Sequence, residues 1–380
     1  MCLHAGRYEG PFVLAPGAIV WGPREAVITR REGGTVVEVG AGAALDGVTV
    51  DGEGGVFDRA DAAVKLTGDG ARVEGVTVVH AVFGVTAERV ARVVIRGNRV
   101  EGGRQATIGL RGDPIRLWET QDSLVEGNDV DGGRDVVVWY SSGNTIRGNT
   151  IAGGRYGTHL MYSHHNEIAH NHYDGVVVGV FVMYSHDVTL TANRVIDAGG
   201  AAGMAVGLKD SGNVFVRGNA FVHDHTGVYV DHSPMQPDHT IAIEDNLFGR
   251  CDVALDFHAT ARRGTIAGND FVDASGGAGV PVSVEGGGDA GELVWHGNYW
   301  SEYDGYDLDG DDHGDVPFAL RSFEGDLVDR APSLAFFRGT AALGAAETVT
   351  KLVPMYAPRT LLVDDAPRME PRAWEVLDAD

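Results

Sequence analysis

An asparagine that returns at a nearly constant interval limits what this chain can fold into more than any other feature. Asn98, Asn128, Asn149, Asn171, Asn193, Asn219, Asn246, Asn269 and Asn298 are separated by 30, 21, 22, 22, 26, 27, 23 and 29 residues. Most follow a glycine, as in Gly97-Asn98 and Gly148-Asn149. Two residues after each stands Val100, Val130, Ile151, Tyr173, Val195, Phe221, Phe248, Phe271 or Trp300. Weaker copies precede them at Leu45-Asp46-Gly47-Val48 and Val73-Glu74-Gly75-Val76. A period of this size, with short β-branched runs and a turn residue at each corner, describes a solenoid of strands. Helical repeats do not fit. Good helix formers are scarce, apolar residues alternate with period two, and 55 of 380 residues are glycine, about twice the usual ~7%. The expected fold is all-β, a right-handed parallel β-helix of about twelve coils. At ~4.8 Å per coil that is a rod of roughly 55–60 Å. Asn suits the corners because it tolerates left-handed backbone and can bond its own chain or a stacked Asn. The repeated Asn are therefore read as structural.

The expected organisation is a β-helix over residues 1–300, an Asp-rich loop over 301–330 that closes the rod, and a tail over 331–380. In the tail an apolar start (Leu334-Ala335-Phe336-Phe337) leads into an Ala-rich helix from Ala341 to Val353. Pro354, Pro358, Pro367 and Pro371 then keep the end extended. Solenoids need caps, so cap and docking tail are equal readings of this segment.

With 54 acidic against 30 basic side chains the formal charge is −24. Such a surface repels phosphate backbones, so nucleic acid is not an expected partner. Two cysteines, Cys2 and Cys251, exclude a disulfide scaffold and a Cys-only zinc site. No apolar run is long enough to span a bilayer.

Aligning coils on the Asn register exposes columns. Leu117, Val138, Leu160 and Val182 form a uniformly aliphatic one. If it faces inward, alternation turns Trp118, Trp139, Met161, Met183, Val137, His159 and Phe181 outward. That is an apolar stripe over four coils of an acidic rod, the pattern of an interaction surface, unless the chain covers it itself. Beside it Tyr140, Tyr162 and Tyr184 form a column that can stack.

Three sets of residues suggest further chemistry. Met161, Met183, His159, His164 and His186 fall on one or two adjacent coils, and thioether with imidazole suits copper, Cu(I) above all. His223-Asp224-His225 and Asp231-His232 are a second, less specific His/Asp area. Asp307, Asp309, Asp311 and Asp315 space carboxylates at i, i+2, i+4 and i+8, as in the first part of a calcium loop, although position 12 is Phe318. Lys209, Asp210, Asp231, His232 and Asp256 are the best cluster for the carboxylate and basic chemistry of polysaccharide-active β-helices. Alternation, however, puts Asp210 and His232 on a different column from Lys209 and Asp231, and the negative charge disfavours acidic sugars. No catalytic residue is expected.

Several strings give the chain a family resemblance. They are Asp113-Pro114-Ile115-Arg116-Leu117-Trp118, Gly133 to Ser141, Arg155 to Ser163 and Val178 to Ser185. At the end of the rod come Gly297-Asn298-Tyr299-Trp300, Tyr303 to Asp311 and Gly314-Asp315-Val316-Pro317. They resemble the NosD family, the β-helical maturation proteins of nitrous oxide reductase. The resemblance implies an extracytoplasmic protein that sits on the permease subunit of an ABC transporter. It also implies work with a copper-delivering lipoprotein and nitrous oxide reductase in building a copper centre. It carries no catalytic residue over. The family begins with a signal peptide and a longer first coil, whereas this sequence starts inside that coil, at Cys2-Leu3-His4-Ala5-Gly6-Arg7-Tyr8. A shortened start and a periplasmic address are therefore expected. The sequence reading is a scaffold that presents the stripe to a partner. The alternatives are a copper carrier using the Met/His set and a polysaccharide lyase or epimerase.

Overall fold

The computed structural model describes residues 1–258, 263–274, 281–285, 290–321, 331, 333–334 and 360–374. The Ala-rich segment from Ala341 to Val353, residues 335–337, Pro354 and Pro358 lie outside the described residues. The chain is an all-β, right-handed parallel solenoid in which a coil of three short strands recurs twelve times, as the repeat predicted. It divides into two compact units, Met1–Arg194 and Val195–Asp380.

One coil of the first unit shows how sequence makes shape. Asp135–Trp139 forms the first strand, Thr145–Arg147 the second and Thr150–Ala152 the third. Tyr140 and Gly148 turn the two corners in left-handed backbone, and Gly153 and Gly154 start the return to the next coil. Each strand pairs in parallel with the equivalent strand one coil on. Inward positions are filled by Val and Ile packed coil on coil. In the second unit Phe221, Phe248, Phe271 and Trp300 stack instead, with ring centroids 5.4, 5.1 and 4.2 Å apart.

The repeated Asn are buried and bonded to one another. In the first unit the side-chain amides of Asn98, Asn128, Asn149 and Asn171 each donate to the Oδ1 of the next Asn, at 2.8–3.0 Å. The same Oδ1 also accepts the backbone N–H of the Asn below it. The expectation about the corner needs one correction. Left-handed backbone falls on the residue before each Asn (Gly97, Gly127, Gly148, His170, Ala192), not on the Asn itself. The Asn must keep ordinary backbone to point its amide inward, so the preceding residue makes the turn. Glycine dominates there because it adopts that conformation without cost.

In the second unit the ladder runs Asn219, Asn246, Asn269, Asn298 and ends on an acid. The strand Thr360–Asp364 pairs antiparallel with Phe318–Arg321 and places Asp364 over Asn298. Asp364 accepts the N–H groups of Gly297 and Asn298, the Asn298 amide and the Trp300 indole. Arg368 then bonds the carbonyls of Gly297, Gly268 and Asn269.

Candidate functional site

The stripe is built on four strands of the first unit: Ile115–Trp118, Asp135–Trp139, Tyr156–Met161 and Val178–Met183. Their register puts Trp118, Trp139, Met161 and Met183 in one column and Arg116, Val137, His159 and Phe181 in another. Leu117, Val138, Leu160 and Val182 point inward and are fully buried. The columns inferred from the Asn register are the columns of the structure.

Exposure corrects part of that picture. Trp118, Trp139, Met161, Phe181 and Met183 are half-buried, but Val137 is 0% and His159 5% exposed. These two belong to the packed base of the stripe. A bulge is the reason for His159. The register shifts by one residue between Asp135 and Val137, so that Tyr156 and His159 pack against each other at 4.8 Å. Gly157 makes room for the bulge, since a Cβ there would lie 2.3 Å from the Tyr173 ring. Tyr156, Trp139 and Phe181 then wall in the imidazole. Val137 is a small side chain in register between Arg116 and His159, and its larger neighbours shield it.

The cluster also has a charged margin. The Arg116 guanidinium lies 4.7 Å from the Trp118 ring centroid and Arg155 4.3 Å from that of Tyr156. Arg134 makes a two-pronged pair with buried Asp113, both bonds 3.0 Å. Burial nevertheless outweighs that cation and pushes the Asp113 carboxyl up to about 6. Tyr140, Tyr162 and Tyr184 stack with centroids 5.4 and 4.9 Å apart, all three in left-handed backbone.

His159 decides how the expected copper ligands behave. The Trp139 indole N–H donates to its Nδ1 at 3.2 Å. An indole nitrogen can only donate, so Nδ1 is an acceptor and the ring proton sits on Nε2. That nitrogen faces Met183 Sδ at 3.3 Å. Burial lowers the imidazole to about 4, so it is neutral near pH 7. Ligation at Nε2 would need the proton moved to Nδ1 and the Trp139 bond given up. The five expected ligands do not form one site either. Met161 and Met183 are register partners beside His159. His164 and His186 stack on each other at 3.8 Å beyond the tyrosine corner.

That second place holds two residues the motif reading missed, His165 and Asp187, beside His186, which it named. His165, His186 and Asp187 each offer a ligand atom, all within 4.8 Å of one another. Asp187 Oδ2 lies 2.7 Å from His186 Nδ1 and 3.6 Å from His165 Nδ1. The signal was present as His164-His165 followed by His186-Asp187, one 22-residue coil later.

Two other expectations lie in the second unit. Asp307, Asp309 and Asp311 come together in an exposed turn. Asp307 accepts the N–H groups of Gly310 and Asp312, and the first of these lowers its pKa. The Asp311 charge raises that of Asp309. Asp315 is not one of that trio; it binds the Leu308 N–H, and its charge also acts on Asp309. The basic and acidic cluster is tighter than alternation suggested. Lys209 pairs with Asp231, and Asp210 lies 3.9 Å from Lys209 and 2.6 Å from His232 Nδ1. Left-handed backbone at Asp210 and His232 swings them out of strict alternation. Tyr229 and Asp256 are register partners on the same strands. His223-Asp224-His225 is no single site: Asp224 is buried and accepts the Ala198 N–H, while His225 pairs with Asp252.

Comparison with known proteins adds a family to this geometry. The family model described as "Periplasmic copper-binding protein (NosD)" matches residues 96–305, a span that contains the stripe, the histidine corner and most of both Asn ladders. A curated protein of Pseudomonas aeruginosa, "Probable ABC transporter binding protein NosD", is 30% identical over 145 residues, 35% of this chain and 32% of that protein. The match thus spans about a third of that relative. Two solved structures share the fold. One is the N-terminal fragment of bacteriophage phi29 gene product 12, with a TM-score of 0.53 at 12% identity over 76% of this chain and 65% of that one. The other is the catalytic unit of a thermostable α-1,3-glucanase from Streptomyces thermodiastaticus, with 0.51 at 15% identity over 78% and 57%. At such identities the likeness is one of fold alone.

Proposed function

This chain belongs to the NosD family of periplasmic copper-binding proteins, and from that premise we propose that it is a non-enzymatic accessory protein of nitrous oxide reductase maturation. It acts outside the cytoplasm, docks on an ABC transporter and holds partner proteins while the copper centre is assembled. A copper-delivering lipoprotein and the reductase itself are the other partners of this reading. One observation carries it: the outward column of Trp118, Trp139, Met161 and Met183. Two other outward columns of the same unit are polar: Arg96, Glu126 and Arg147, and Arg99, Asp129 and Thr150. A contiguous apolar column on an otherwise charged surface is what a protein partner recognises. Half-burial suits this use, because the rings are already ordered and lose little freedom on docking.

The test is co-purification of the transporter with the full chain and with Trp118→Ala/Met161→Ala. Neither residue bonds to His159, so the base of the stripe stays packed. Loss of a central anchor costs about 2 kcal/mol, some thirtyfold in affinity. A variant that melts like the wild type yet captures the transporter undiminished would remove the stripe from this role.

A further inference from the structure

We propose that the corner made by His164-His165 and His186-Asp187 binds one divalent cation of the copper–zinc class, with His165, His186 and Asp187 as ligands. The proposal goes beyond the scaffold reading and needs no partner protein. It also moves the metal away from the thioether set.

The first support is convergence. Two consecutive coils bring two imidazoles and a carboxylate to one point, and both Nδ1 atoms face the same oxygen, at 2.7 and 3.6 Å. Ligands of a tetrahedral zinc or a copper(II) ion sit ~2.0–2.2 Å from the metal. Donors already within 4.8 Å of each other reach that geometry by side-chain rotation alone. The second support is a built shell. His164 stacks on the His186 ring at 3.8 Å, and its Nδ1 accepts the His186 backbone N–H at 3.2 Å. The backbone N–H of His165 is bonded to the His186 carbonyl at 3.1 Å, so the two coils cannot slide past each other. The third is access. His165 is mostly exposed, while His186 and Asp187 are each about one-third exposed, so an ion can enter from solvent.

The donor set decides which ion. Two nitrogens and an oxygen suit copper(II) or zinc, with copper(II) the tighter, whereas copper(I) prefers thioether and thiolate. The alternative set is closed, because both ring nitrogens of His159 are engaged. In the loaded corner each imidazole gives Nδ1 to the metal and carries its hydrogen on Nε2.

The experiment is titration of the purified full chain with copper(II). It is followed by electron paramagnetic resonance and by competition against a chelator of known affinity, and repeated with zinc and with copper(I). The variants are His165→Asn, which tolerates the left-handed corner, His186→Phe, which keeps a ring on His164, and Asp187→Asn. Met161→Leu/Met183→Leu is the control. The expected result is one copper(II) per chain with nitrogen couplings from two imidazoles. Outer-shell groups alone are worth 10–100-fold in metal affinity, so loss of a ligand weakens binding on the order of a hundredfold or more. The methionine control should bind as the wild type does. Unchanged affinity in His165→Asn, loss in the methionine control, or no saturable binding would each overturn the proposal. Thermal melting of each variant separates a lost ligand from a lost fold; if His186→Phe does not fold, the other two variants decide. Transporter capture is measured separately, so failure here leaves the scaffold reading standing, and the reverse holds too.

Discussion

At the scale of single residues, the strongest constraint is the partner that each buried group of the Asn ladder requires. Asn149 is the clearest case. Its amide serves the Val125 carbonyl and Asn171, and its oxygen serves the backbone and side chain of Asn128. Asn149→Ala strands these groups where no water reaches. Each buried group left unmatched costs ~1–3 kcal/mol, so the substitution should cost several kcal/mol. Hydrogen exchange should show the coils on either side opening first. His159 gives a second prediction, in pH. Its folded value of about 4 lies below the ordinary ~6.5 of the unfolded chain. Below pH ~6.5 the unfolded chain therefore binds more protons. The stabilisation is full above pH 6.5 and is lost as pH falls towards 4, to a limit of about 3 kcal/mol. His159→Gln should flatten that part of the stability profile, followed by urea unfolding between pH 4 and 7. The ladder was legible in the sequence, because one residue type returned at one interval. The environment of His159 was not, because alternation predicts direction and not cover. The bulge at Gly157 turns Tyr156 of the same strand onto the imidazole, and Trp139 and Phe181 come from the strands on either side.

At the scale of elements, the last coil of the second unit meets the problem of every solenoid, an unpaired end. The Asn ladder would finish with one hydrogen of the Asn298 amide and the N–H groups of Gly297 and Asn298 unmatched. Asp364, brought in by a strand about sixty residues further along the chain, matches them and the Trp300 indole. A carboxylate fits better than the repeat's own Asn because every group here donates, and two oxygens accept more than one. Asp364→Ala should therefore speed exchange of the Gly297–Trp300 amides strongly. Asp364→Asn should fall between, since its NH2 would face the Gly297 N–H. Equal exchange in wild type and both variants would show that the end is held by the Phe318–Arg321 pairing instead. The sequence reading expected a cap but had no means of finding Asp364, which lies outside the repeat. The histidine corner is the opposite case. His164 over His186 and His165 over Asp187 follow directly from the 22-residue interval. The sequence reading named His164 and His186 but grouped them with the thioethers of the neighbouring face, and so passed over His165 and Asp187.

At the scale of the whole molecule, a formal charge of −24 and an apolar stripe act at different stages of docking. Charge works at a distance, raising or lowering the rate of encounter, and is screened within ~8–10 Å at moderate salt. Packed rings work only on contact and set how long the complex lasts. Two of the guanidinium groups beside the stripe, Arg134 and Arg155, are held by Asp113 and Asp135. If the stripe is the docking surface, added salt should change the association rate with the transporter and leave the dissociation rate nearly constant. Trp139→Ala should do the reverse, shortening the life of the complex with the salt dependence of association intact. Kinetic binding measurements on immobilised transporter at low and high salt separate these outcomes. A dissociation rate that climbs with salt and ignores the tryptophan would mean that the acidic surface, not the stripe, holds the partner.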